Sequence, residues 1–248
     1  MLKKLRELIL PSLAVLLALA FLIRTSWPAI LKFYISIGVG KCSSMPILCL
    51  VPESEVIDPP INQSYLQELV PFSFEHITIY LPKDYSAVKE IVSKSYYKKK
   101  KVSHAGDVAY VLYEEPDFFI NLFPEIRGQG LAGNYEFWRR TMCSTPGGIK
   151  NVTDAFFIVI KSIFASYGDR ACDLHMIKFK IGDKRGFITY NLCNDINYFD
   201  CNMVNDKGEF FKAYIKDKGA RLGLDKIFAI ISTINGEGKS LDFSGNPG

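Results

Sequence analysis

An α+β fold, an antiparallel sheet packed by helices in a two-layer or three-layer sandwich behind a single N-terminal transmembrane helix, is what this 248-residue chain predicts. Three observations predict it. Residues 8–23, LILPSLAVLLALAFLI, are uncharged and apolar and follow Lys3, Lys4 and Arg6. Beyond residue 72, short runs alternate apolar and polar residues between Gly-, Asn- and Asp-containing turns, the mark of half-buried strands. Two stretches, 153–167 and 222–235, repeat large apolar residues at helical spacing.

Sixteen helical residues cover about 24 Å, a little less than a ~30 Å hydrocarbon core. Glu7 and Arg24 can snorkel, and Thr25 to Trp27 can lengthen the buried part. The positive cluster before the span keeps the N-terminus cytoplasmic and exports the rest. Arg24, Lys32 and Lys41 weaken that bias without reversing it. The expected location is the inner (plasma) membrane, with a periplasmic C-terminal domain. A cleaved signal peptide is the rival reading, but Phe21-Leu22-Ile23-Arg24 offers no small-x-small exit. A lipoprotein site at Val39-Gly40-Lys41-Cys42 is disfavoured by Lys41.

Residues 27–40, WPAILKFYISIGVG, form an apolar stem too short to cross a bilayer. Lying at the interface, it would hold Trp27 and Tyr34 at headgroup level. The other reading is a docking helix for a membrane protein. Trp27, Phe33 and Tyr34 are the interaction candidates in either case. Start, anchor and stem thus occupy residues 1–41.

Net charge is +4, yet residues 1–41 hold six Lys/Arg and one Glu, leaving the remainder at −1. A nearly neutral body argues against a nucleic-acid partner, which needs a basic face to release counterions. The partners expected are membrane lipid and a protein of a membrane complex. Lys98 to Lys101 read as a solvated loop after a helix, or as a patch for acidic headgroups.

Six cysteines, Cys42, Cys49, Cys143, Cys172, Cys193 and Cys201, follow the anchor and allow up to three disulfides in an oxidising compartment. Sequence proximity favours Cys42–Cys49, Cys193–Cys201 and Cys143–Cys172. The absence of Cys-x-x-Cys leaves a thioredoxin-type centre and a covalent haem without support.

Residues 42–71, with Pro46, Pro52, Pro59, Pro60 and Pro71, read as a Pro-rich linker. Tyr65 to Leu69 add one or two helical turns. Asn62-Gln-Ser64 and Asn151-Val-Thr153 match the glycosylation pattern. The extracytoplasmic domain spans 72–236 and a loose tail 237–248. Ile77, Ile79 and Leu81 make a strand ended by Pro82. Ser86 caps a helix carrying Val88, Ile91 and Val92. Strands follow at 108–113 and 118–123, then a short helix that Asn134 caps and that runs through Met142.

Thr153 caps a helix with Phe156, Ile160, Ile163, Phe164 and Tyr167 on its core face, stopped by Gly168. A strand around Ile177, Phe179 and Ile181 turns at Gly182 to Gly186 into a strand over Phe187 to Leu192. Strands 198–204 and 209–216 form a hairpin around Asn205-Asp206-Lys207-Gly208. The closing helix carries Leu224, Ile227, Phe228, Ile231 and Ile234, with Gly236 as its stop. Both long helices are expected on one sheet face, each large apolar side chain contributing about 1.5–3 kcal/mol.

The opening strand ending Ile79-Tyr80-Leu81-Pro82, the late pair of hairpins and the closing helix to Ile231-Ser232-Thr233-Ile234 resemble the PsbP/Mog1-type fold over residues 72–235. Members of that group are mostly accessory or interaction proteins without catalysis, so the resemblance implies a binding role.

No catalytic set converges in the sequence. His76 and His175 fall in or beside strands, and loop-borne His104 is the weak catalytic candidate. No His pair suits zinc. Gly128-Gln129-Gly130-Leu131-Ala132-Gly133 matches Gly-x-Gly-x-x-Gly, but its antiparallel surroundings argue against a dinucleotide unit. Asp195, Asp200, Asp206, Asn194, Asn197 and Asn205 read as turn residues rather than calcium ligands. No cofactor is expected. The function expected is a membrane-anchored, non-catalytic accessory module. An envelope enzyme of hydrolase type, using His104 and loop carboxylates, is the alternative, and a small-ligand or lipid binder is a third.

Overall fold

The computed structural model describes residues 26–74, 77–83, 85, 87–92, 98–104, 107–165 and 173–236. Residues 26–38 are helical (α1). They lead through a 3-10 turn, Pro46–Leu48, to β1 (Glu55–Ile57), α2 (Gln63–Glu68), β2 (Leu69–Phe74) and β3 (Ile77–Pro82). A meander follows: β4 (Ala87–Val92), β5 (Lys98–His104) and β6 (Asp107–Glu114). Three helices, α3 (Phe118–Leu122), α4 (Gly133–Cys143) and α5 (Val152–Phe164), precede a second meander of β7 (Asp173–Ile181), β8 (Lys184–Leu192), β9 (Ile196–Asn205) and β10 (Phe210–Lys218). The last elements are α6 (Leu224–Ser232) and β11 (Asn235–Gly236).

The fold is α+β, as expected, and the sheet is antiparallel except at one edge. Eight strands run in the order β1-β7-β8-β9-β10-β6-β5-β4, and β11-β3-β2 make a second, three-stranded sheet. β1 pairs parallel to β7, with Val56 opposite Phe179. Residues 42–71, expected as a linker, are therefore part of the body: Ile47 and Leu48 are fully buried and β1 extends the sheet. Prolines at this density forbid regular periods but not burial.

Alternation along the strands builds two cores. Ile177, Ile188, Phe199, Cys201, Met203, Phe211 and Ala213 face α6 and the β2–β3 hairpin. Met176, Phe187, Val204, Phe210 and Leu112 face α4, α5 and the stem. The two long helices thus cover opposite faces in a three-layer sandwich, not the single face expected from their sequence. Amphipathic periodicity shows that a helix has a buried side, never which sheet face receives it.

Several elements differ from expectation. Residues 87–92 are strand β4, not helix, because Val88, Ile91 and Val92 are β-branched and their spacing suits either element over so short a window. The lysine run Lys98–Lys101 is strand β5 rather than a loop. Residues 118–122 are helix α3, not strand. Phe119, 1% exposed, stacks on Phe137 at 4.8 Å, and that aromatic cluster decides the conformation. The β7–β8 turn is confined to Gly182-Asp183, with Gly182 at φ +54°. Gly186 lies inside β8 opposite Met203.

Asn151, not Thr153, caps α5, its Oδ1 accepting from Asp154 N at 2.9 Å. Asn62 caps α2 the same way, accepting from Tyr65 N at 3.1 Å. Gly236 does not stop α6, which ends at Thr233, and instead pairs with Ile77 in β11. Thr233 Oγ1 accepts from Tyr80 N at 2.9 Å, joining that helix end to β3. Ser86, Tyr167 and Gly168 lie outside the described residues.

No helix among the described residues is long and apolar enough to cross a membrane. Residues 8–23 lie outside the described residues.

Candidate interaction face

α1 carries apolar residues on both sides. Leu31, Ile35 and Val39, at helical spacing, pack into the core shared with α4 and α5. Opposite them, Trp27, Ile30, Phe33, Tyr34 and Ile37 are 41%, 39%, 63%, 68% and 68% exposed. Residues 27, 30, 34 and 37 recur at the three- and four-residue steps that align side chains on one helix face. A soluble amphipathic helix puts charged residues there. The Phe33 and Tyr34 rings meet edge to face, 6.3 Å apart.

α5 repeats the feature more weakly. Ile163, expected in the core, is 66% exposed, and Val152 is 59% exposed. Both helices belong to the same core cluster and expose apolar side chains away from it.

The stem is fastened immediately after α1. Cys42 and Cys49 are disulfide-bonded across seven residues. The loop they close carries Ile47 and Leu48 into the core. Beyond it, Lys161 of α5, 0% exposed, donates from Nζ to the carbonyls of Leu50 (2.5 Å), Met142 (2.8 Å) and Ser144 (3.0 Å). Its three donors have three acceptors, two of them at the carbonyl-rich C-terminal end of α4, where a cation is favoured. Burial pushes the Lys161 ammonium down to about 8. Sequence reasoning gave Lys161 no role. A lone lysine in the apolar run FFIVIKSIF was the available signal.

The remaining cysteines depart from the pairing read from proximity. Cys143 is free and exposed, and Cys201 is free, buried and pushed well up by desolvation. Cys193 is disulfide-bonded, its partner lying outside the described residues, as Cys172 does. Cys201 sits on the α6 side of β9, inside the apolar core.

His104, expected in a loop, is the last residue of β5 and pairs in register with Asp107 across the hairpin end. Its side chain lies outside the described residues, as does all of His76. His175 Nδ1 lies 3.1 Å from a Glu53 oxygen, and its ring stacks on Tyr190 at 5.2 Å. This pair ties the β1 segment to β7 on a half-exposed surface. A depression of about 330 Å³ is lined by Tyr65, Glu68, Leu69, Pro82 and Lys83, with no histidine or cysteine on its wall.

The glycine motif 128–133 spans the end of a 3-10 turn and the start of α4, and neither β6 before it nor any strand after it forms a parallel βαβ unit with it. Asn205 is the turn residue expected, its Oδ1 accepting from Lys207 N and Glu209 N at 3.1 and 3.0 Å. Asp200 is not a turn residue. It lies mid-strand in β9, 1% exposed, with Lys212 Nζ 3.1 Å from its Oδ2. No group of His, Cys, Asp and Glu among the described residues could hold a metal ion.

No protein-family model matches the chain, and no curated protein matches it.

Proposed function

We propose that the chain is a membrane-tethered, extracytoplasmic and non-catalytic interaction module of a larger membrane or envelope complex. In this reading residues 8–23 anchor the chain and α1 lies along the bilayer surface. One observation carries it: five large apolar side chains stand exposed on α1, directly after an uncharged sixteen-residue apolar run.

Trp27 and Tyr34 have the amphipathic rings that suit the headgroup level. The Cys42–Cys49 disulfide supports an oxidising compartment. The opening strand β3, the β7–β10 hairpins and the closing α6 support the PsbP/Mog1-like reading, and with it an accessory role. The partner is a protein of the same membrane, met by the body that α1 holds against the lipid.

Extraction of the full-length chain from its own membrane in mild detergent tests this. A stable complex retained through purification, with the first residue before position 24, is expected. A chain that is alone and monomeric, or that begins beyond position 24, overturns the proposal.

A further inference from the structure

The sheet face under α4 and α5 is apolar at Met176, Phe187, Val204 and Phe210, but it has a polar centre. Thr189 on β8, Asp200 and Asn202 on β9, and Lys212 on β10 are 2%, 1%, 1% and 7% exposed. They are contiguous by register: Thr189 is opposite Asp200, and Asn202 is opposite Lys212. Directly opposed side chains in antiparallel strands lie within about 5.5 Å at Cβ.

Two of the four hold each other. Lys212 Nζ donates to Asp200 Oδ2 at 3.1 Å and also to the carbonyl of Phe164, the last residue of α5. The other two are orphans. Thr189 Oγ1 and both amide atoms of Asn202 are buried without a protein hydrogen-bond partner. An amide offers two donors and two acceptors, and a hydroxyl one donor and two acceptors.

Buried polar groups are nearly always satisfied, because leaving one unmade forfeits its full hydration. Valine and leucine would fit these two positions without that penalty. Side chains kept polar at such depth have something polar to meet. Beside them one carboxylate, Asp200, already accepts from one ammonium, Lys212, at 3.1 Å. A single carboxylate already paired with a lysine is a poor cation site.

We infer that Thr189 and Asn202, beside the Asp200–Lys212 pair, form an internal binding site for a small molecule with both hydrogen-bond donors and acceptors. Two sources share that chemistry: ordered water and a small hydroxylated or amide-bearing metabolite.

The test uses the full-length chain in detergent. A crystal structure at a resolution that shows ordered water is expected to reveal separate density within hydrogen-bonding reach of Thr189 Oγ1 and the Asn202 amide. Native mass spectrometry of the same preparation distinguishes the sources. A retained mass that Asn202→Leu or Thr189→Val loses assigns a metabolite; density without added mass assigns water. Thr189→Val preserves shape, so it keeps the test open if Asn202→Leu fails to fold, and it should remove at least half of the density. A map in which both residues bond directly to protein atoms, with no separate density beside them, overturns the inference.

Discussion

The carbonyl oxygen of Asn202 lies 2.0 Å from the point that a Cβ on Gly186 would occupy, with Met203 Cα at 2.7 Å. Both obstacles are backbone of the adjacent strand, so neither can rotate away. β8 and β9 approach so closely there that only glycine fits. Gly186→Ala should therefore cost more than about 3 kcal/mol, above the range of ordinary substitutions. Urea unfolding followed by circular dichroism measures it. A loss below about 1 kcal/mol would show that the strands can part.

Lys161 joins three carbonyls from two chain segments, and its removal takes the ammonium donor from all three, two of them at the buried end of α4. Lys161→Met keeps the volume and deletes the donors. The expected loss is about 2–4 kcal/mol. Faster proteolysis within residues 42–54 should accompany it, since Leu50 would lose its tie to α5. Wild-type protection in that segment would refute the clamp.

Burial, helped by Glu115, pushes the Glu114 carboxyl up to about 7 from an ordinary 4.5. Between those values the folded chain holds a proton that the unfolded chain has released. This contribution is fully present below about pH 4.5 and is lost as pH rises through 7. The loss amounts to at most about 3 kcal/mol. Glu114→Gln should remove that slope and raise stability at pH 8, as thermal unfolding across pH would record. A variant whose pH profile matches the wild type contradicts the assignment.

The chain has two tryptophans, and they report on different places. Trp138 is 1% exposed and stacks on Phe210 at 5.1 Å, whereas Trp27 stands on the outer face of α1. In vesicles containing brominated phospholipid, the full chain should lose the Trp27 part of its fluorescence and keep the Trp138 part. Trp27→Phe should abolish the quenching. Emission indifferent to the brominated lipid would leave α1 facing water or protein.

The elements legible in the sequence were those whose period and burial agree. β7, β9, β10 and α6 fall within a few residues of where alternation or helical spacing puts them. α4, expected from an Asn134 cap, instead holds Asn134 inside its first turn, its amide donating to the carbonyls of Glu115 and Gly208. β4 and α3 were not legible, because six or five residues do not separate one period from another. The Cys42–Cys49 bridge follows from loop length, whereas the freedom of Cys201 follows from its side of β9, which the strand's neighbours decide. At the candidate face, Trp27, Phe33 and Tyr34 were readable as an apolar stem. Ile30 and Ile37 completed the stripe only once Leu31 and Ile35 were seen to be the buried side. The polar centre under α5 was invisible, since Thr189 and Asn202 become neighbours of Lys212 through strand register alone.

The parallel pairing of β1 with β7 sets where this body can be cut. A shortened chain starting at residue 72 would strip the sheet of its outermost strand, unseal β7 as a raw border and evict Ile47 and Leu48 from the interior. Such a fragment should clump through its bared rim rather than behave as a trimmed globule. The smallest self-sufficient unit therefore starts upstream of Cys42, within the greasy stem itself.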